Sequence, residues 1–172
     1  ATASSGGMVY KAFPHGLWYG DQMSLMSGMA LVLCVPLGIG AHLERWRVPP
    51  AQIHEMDWWQ AAEIKGVTIH CTPARHYSGR KRMDNSTLWS SWTIRGPQHS
   101  AYYSGDTGYA PHFSEIRRRL GPVDLAVIKA GAYGETWLDI HMDPESAVKA
   151  AADARDKENI TSTPSFFRLP AW

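Results

Sequence analysis

The chain has 172 residues, 44% hydrophobic and 19% charged, which is enough apolar material for one core and too little length for two full domains. A formal net charge of +1 carries neither the basic bias that phosphate backbones select nor the acidic bias of a solvating tail, so no nucleic-acid partner is expected. The longest apolar run, Met29 to Val35, is far shorter than the ~20 residues a membrane-spanning helix needs, so no membrane span is expected either.

Residues 1–28 mix small residues, methionine and aromatics without helical or alternating period and read as an irregular N-terminal arm. No basic segment precedes a small-residue cleavage site there, and the two cysteines, Cys34 and Cys71, are too few for a disulfide framework. Reduced thiols in a cytoplasmic protein are the expectation. Residues 29–153 form the expected domain. The run Met29 to Val35 ends at Pro36 and predicts a buried strand stopping near Val35, after which Gly38 and Gly40 turn the chain into a short helix over Ala41 to Trp46.

Val67 to Cys71 predicts a strand broken by Thr72-Pro73, and Leu88 to Ile94 a second, with Trp89 and Trp92 on opposite faces. Ala101 to Ser104 predicts a third, running into the loop Gly105-Asp106-Thr107-Gly108-Tyr109. Phe113 to Leu120 has apolar residues at 113, 116 and 120, one helix face, and stops at Gly121-Pro122. Asp124 to Ala130 predicts a mainly apolar strand interrupted by Lys129. Asp143 suits the N-cap and Pro144 the first position of a last helix whose buried stripe is expected at Ala147, Val148 and Ala151. Strands alternating with helices give the α/β class. From residue 154 to 172 the pattern fails and a divergent tail is expected.

Three constellations place polar ligand types at the ends of predicted strands, where loops gather side chains over a sheet. His76 follows a strand, where a neutral imidazole can offer one nitrogen to Zn²⁺ while an acceptor fixes the other; an ordinary hydrogen-bonding loop histidine is the alternative. Asp106 lies between two glycines, which lets its carboxylate turn into a cleft and contact cations; the alternative is a turn in which Asp106 caps the helix beginning near Pro111. His141, just before a helix N-terminus, is placed to stay neutral as base or ligand, or else is a surface loop histidine. Eight Trp and seven Tyr are a heavy aromatic load that fills a core or lines an apolar cleft.

The segments TPARHYSGR, LWSSWTIRG, YYSGDTGY, F-x-EI-x-RR-x-GPVDLAVIKAGAY and HMDPESAV, in that order, resemble the N-acyl phosphatidylethanolamine phospholipase D-like branch of the metallo-β-lactamase superfamily, over roughly Val35 to Asp153. They are more distantly similar to the ascorbate-6-phosphate lactonase-like members. The resemblance implies a partial αββα sandwich with a metal site at one sheet edge, holding zinc as one or two ions. It implies His76 as a histidine ligand, Asp106 as the carboxylate bridging the metals, and His141 as a residue that positions or protonates substrate. Tyr109, Tyr133 and Trp137 would line the cleft for a small-molecule or lipid substrate.

The family's His-x-His-x-Asp-His segment would lie upstream of Val35-Pro36-Leu37-Gly38; the chain has Trp18-Tyr19-Gly20-Asp21-Gln22-Met23-Ser24 there, with His15 and Asp21 the available ligands. Thr163 stands where the family's final histidine would be. A truncated or divergent member is therefore expected, with His70, His141, His15 or a partner subunit completing the ligand set. A sheet face left bare would favour a homodimer. The leading expectation is a metal-dependent hydrolase acting on a phosphodiester, ester or lactam bond through a metal-activated water. The alternatives are a non-catalytic ligand- or partner-binding remnant, or a metal-independent hydrolase using Ser78, Ser104 or Ser165; no Gly-x-Ser-x-Gly elbow supports the last.

Overall fold

The computed structural model describes residues 32–79, 85–130, 133–134, 136–137 and 139–155. The expected arm over 1–28 and almost all of the expected tail, from residue 156 on, lie outside the described residues.

Strand β1 (Leu33–Pro36) pairs in parallel with β2 (Ile53–Met56); α1 (Gly40–Arg45) and a 3₁₀ turn (Pro50–Gln52) connect them. The chain then builds a five-stranded sheet in the order β3 (Ala61–Ile64), β4 (Val67–Thr72), β5 (Ser91–Arg95), β6 (Ser100–Tyr103), β7 (Leu125–Val127). The first four strands meander antiparallel, while β6 and β7 pair in parallel. Parallel neighbours need a crossover, and α2 (His112–Leu120) supplies it. Helix α3 (Pro144–Ala154) closes the described chain.

The local chemistry explains these elements. Ile64 lies opposite Val67, leaving a two-residue loop in which Lys65 and Gly66 have φ of 51° and 78°. Both residues are left-handed, the conformation that keeps a tight hairpin in line with strand twist. Asp143 caps α3 by accepting from the Ser146 backbone N–H at 2.7 Å, with Pro144 at the first turn, as its sequence predicts. Consecutive strand residues point to opposite faces, so Tyr102 and Tyr103 serve two cores. Tyr103 lies opposite Trp92 and joins Met56, Ala62 and Cys71 under the β1–β2 layer. Tyr102 packs on the other face with Phe113, Ile116, Met142, Ala147 and Ala150 of the helical layer.

The strand predicted over Leu88 to Ile94 begins only at Ser91, because the residues before it bond elsewhere: Leu88 N–H to Leu37 and the Trp89 indole to Ala74. Trp89 is therefore not a strand residue opposing Trp92. The last strand is shorter than predicted, ending at Val127. In α3 the buried positions are Ala147, Ala150 and Ala154, while Val148 is 55% exposed. One residue along a helix is a 100° rotation, enough to carry Val148 off the face that Phe113 and Met142 cover.

Phe113 is fully buried between Tyr102 and Tyr109. Phe113→Ala is expected to cost about 3–5 kcal/mol in chemical denaturation. Val148→Ala should change stability by no more than about 0.5 kcal/mol in the same measurement.

Candidate metal centre

The strand directions decide where the polar loops go. With β5 antiparallel to both β4 and β6, and β7 parallel to β6, strands β4, β6 and β7 all run the same way. Their carboxyl ends share one edge of the sheet. His76 follows β4, Asp106 follows β6, and the chain after β7 leads through Lys129 to His141. One ligand atom each from His76, Asp106 and His141 lies within 4.8 Å of the others, the three side chains being half-buried.

The His76 loop is fixed by backbone contacts on every side. The Thr72 and Ser91 hydroxyls meet at 2.7 Å, and the Ser91 hydroxyl donates to the Pro73 carbonyl at 2.7 Å. The Trp89 indole donates to the Ala74 carbonyl, the Arg75 N–H donates to the Thr107 hydroxyl, and Gly108 N–H donates to the Arg75 carbonyl. Those last two bonds tie the His76 loop to the Asp106 loop. Arg75 extends the tie through its guanidinium, which bonds the Tyr109 carbonyl and pairs with Asp139 in the loop leading to His141.

The ring of His76 stacks on Tyr77, and its Nδ1 lies 2.8 Å from the Tyr77 carbonyl. A carbonyl only accepts, so Nδ1 carries the proton and Nε2 holds the lone pair. That Nε2 is buried with no hydrogen-bond partner among the described residues. Such an orphan in a half-buried site is open to a ligand, and two imidazoles with a carboxylate are side chains that could hold a metal ion.

The charge states also fit a cation. Burial pushes the His76 imidazole below its ordinary pKa, against the Tyr77 carbonyl and Asp106, which raise it. At Asp106 burial raises the pKa, but the hydrogen bond and charge of Lys129, joined by His76 and His141, outweigh it and hold the carboxyl below its usual range. Lys129 Nζ lies 2.8 Å from Asp106 Oδ1. Asp106 does not cap the helix: α2 starts at His112 after Pro111, without a side-chain cap.

The other expected residues lie at varying distances from this cluster. The rings of His141 and Trp137 are 6.3 Å apart, which sets Trp137 beside the cluster; it and Tyr133 are about half exposed in the same loop. Tyr109 instead donates its hydroxyl to Asp153 of α3 and stacks on Phe113. His70 lies within β4, between Ala61 and Thr93, and is not in the cluster. The Ser78 hydroxyl accepts from Thr87 N–H, and the Ser104 hydroxyl donates to the Gly105 carbonyl while accepting from Lys129 N–H. His15, Thr163 and Ser165 lie outside the described residues. Lys129 is the site residue whose role sequence reasoning missed; a lysine interrupting an otherwise apolar strand was the signal.

The sequence model of the Beta-lactamase superfamily domain matches residues 20–161. The chain belongs to the metallo-β-lactamase superfamily. It is 52% identical over 142 residues to an uncharacterized protein of Mycobacterium tuberculosis, covering 79% of this chain and 38% of that one. An N-acyl-phosphatidylethanolamine-hydrolyzing phospholipase D of Caenorhabditis elegans is 36% identical over 116 residues, 63% of this chain and 33% of that one. The chain thus spans well under half the length of these relatives. Among solved structures, Igni18, a metallo hydrolase from the archaeon Ignicoccus hospitalis, superposes with a TM-score of 0.58 at 21% identity over 78% of this chain and 54% of that one, which shows the fold. The chain has the metallo-β-lactamase fold class, a mixed α/β arrangement of sheets and few helices. Among the described residues no helix is long and apolar enough to cross a membrane.

His112, beside the Asp106 loop, has its Nε2 3.5 Å from the Thr107 hydroxyl and its ring against Phe113. Burial, then the charge of Arg75, lowers its pKa from 6.5 to about 4. As pH falls the unfolded chain takes up this proton first, so the stability present above pH 6.5 is lost progressively down to about 4. Urea titrations across that window should show a slope that His112→Gln reduces by up to ~1.4 kcal/mol per pH unit.

Proposed function

We propose that the chain carries the metal centre of a metal-dependent hydrolase that cleaves a phosphodiester, ester or lactam bond through an activated water, with zinc as the ion. One observation carries the reading: His76, Asp106 and His141 converge within 4.8 Å while the buried Nε2 of His76 has no partner among the described residues. His76 would bind through Nε2, Asp106 through its carboxylate and His141 through its imidazole. A zinc ion bound there supplies Lewis acidity to a water and to the oxygen of the scissile group.

The chain's own residues do the rest. The Tyr77 carbonyl keeps the His76 tautomer that leaves Nε2 a ligand. Arg75 holds the three loops in one arrangement. Trp137, beside His141, and Tyr133 offer exposed aromatic surface on which an apolar part of the substrate would lie. The C. elegans relative's name supports a phospholipase D-like activity on a lipid phosphodiester as the substrate class to assay first. The free thiols of Cys34 and Cys71 support a reducing, cytoplasmic setting.

Elemental analysis of the purified chain should find close to one zinc per chain. Asp106→Ala should weaken zinc binding by about 100-fold or more, since even partners of a ligand are worth 10–100-fold. Chelator should abolish turnover of a phosphodiester, ester or lactam probe. Negligible metal on a folded wild-type chain would sink this reading and favour a non-catalytic remnant that binds ligand or partner through the same edge.

A further inference from the structure

Lys129 has no part in the proposed hydrolysis, yet both its backbone and its side chain are held by contacts at the site. Tyr103 of β6 lies opposite Val127 of β7, and because the two strands are parallel they leave the sheet side by side. Ser104 N–H donates to the Val127 carbonyl at 3.0 Å, and Lys129 N–H donates to the Ser104 hydroxyl at 2.9 Å. This lattice extends the pairing two residues beyond the strands, so Lys129 and Asp106 emerge as neighbours. The side chain of Lys129 is 22% exposed, and its Nζ meets Asp106 Oδ1 at 2.8 Å. An ammonium thus engages one oxygen of the carboxylate on which the cluster of His76 and His141 converges.

We propose that Lys129 is an internal cation that stands in for metal on Asp106 and competes with it, so that this residue sets the affinity of the centre. The inference rests on the metal-centre reading above. Two consequences follow from the charges. Without metal, the ammonium pairs with a half-buried carboxylate whose charge burial penalises. With metal, an ion reaching Asp106 is repelled by the ammonium at close range in a site partly shielded from water, and zinc must displace the ammonium or share the carboxylate with it. Removing the charge should therefore tighten metal binding while destabilising the metal-free chain, a pair of effects that loss of a merely structural contact does not produce.

The test uses the full chain, freed of metal and titrated with zinc against a chromophoric chelator, with thermal unfolding recorded with and without zinc. Lys129→Met and Lys129→Gln remove the charge and Lys129→Arg keeps it; the glutamine variant serves where the methionine variant does not fold. The charge-free variants are expected to bind zinc about tenfold or more tighter than wild type. They should melt lower without zinc and gain more from its addition, and the arginine variant should stay near wild type. Folded charge-free variants that bind zinc no more tightly than wild type would overturn the role of Lys129 while leaving the metal centre intact. Zinc bound by neither wild type nor the variants would overturn the metal reading and this inference with it.

Discussion

The parallel pairing of β6 with β7 is the constraint on which the site depends. It exists because α2 carries the chain back over one face of the sheet, and α2 can do so because Phe113 and Ile116 are buried against Tyr102. Once β7 runs with β6, and β4 runs with both, three loops open at a single edge. A strand reversed at any of these positions would put its loop at the far end of the sheet, some four or five residues of extended chain away. The chemistry is thus a consequence of topology before it is a consequence of side-chain choice.

Topology brings the loops together, but buried hydroxyls and indoles give them their shape. Thr72, Ser91 and Thr107 are fully buried; the hydroxyls of Ser91 and Thr107 bond the His76 loop, and that of Thr72 bonds Ser91. Buried polar groups are costly unless satisfied, so a loop conformation that left Pro73 O or Arg75 N–H unpaired would be disfavoured by roughly 1–3 kcal/mol each. The network is rigid for that reason. The ion pair of Arg75 with Asp139 lies at the surface and adds little energy, but it joins the His141 loop to this network.

Much of this could be read from the residues. The cap at Asp143 and most of the element order carried local signals, whereas His76, Asp106 and His141 were joined into one site only by the resemblance of the ordered segments to the metallo-β-lactamase superfamily. Strands β2 and β3 were not. Ile53–Met56 has the polar His54 and Glu55 at its centre and Ala61–Ile64 is short and rich in alanine, so neither shows a run or an alternation that stands out from a loop. The two-residue Lys65-Gly66 turn was the best clue to β3. Tyr109 shows a different limit: the resemblance implied a cleft residue, and nothing local announced that Asp153, forty-four positions later, accepts from its hydroxyl. Lys129 shows the same limit in reverse, since its partner is chosen by strand pairing and not by neighbours in sequence.

The electrostatics of the cluster complete the case that it is arranged for a cation. His76 and Asp106 depart from ordinary behaviour by different routes, one through burial that disfavours the imidazolium, the other through neighbouring positive charge that disfavours the neutral acid. Both routes end with the deprotonated form, the one that can donate a lone pair to a metal. A general acid–base pair would need one partner to retain a proton near neutral pH, with the two environments pushing their pKa values toward the working range. Here both are pushed away from it. A neutral histidine and a charged carboxylate are the forms that donate lone pairs to a cation, which supports the metal-centre reading.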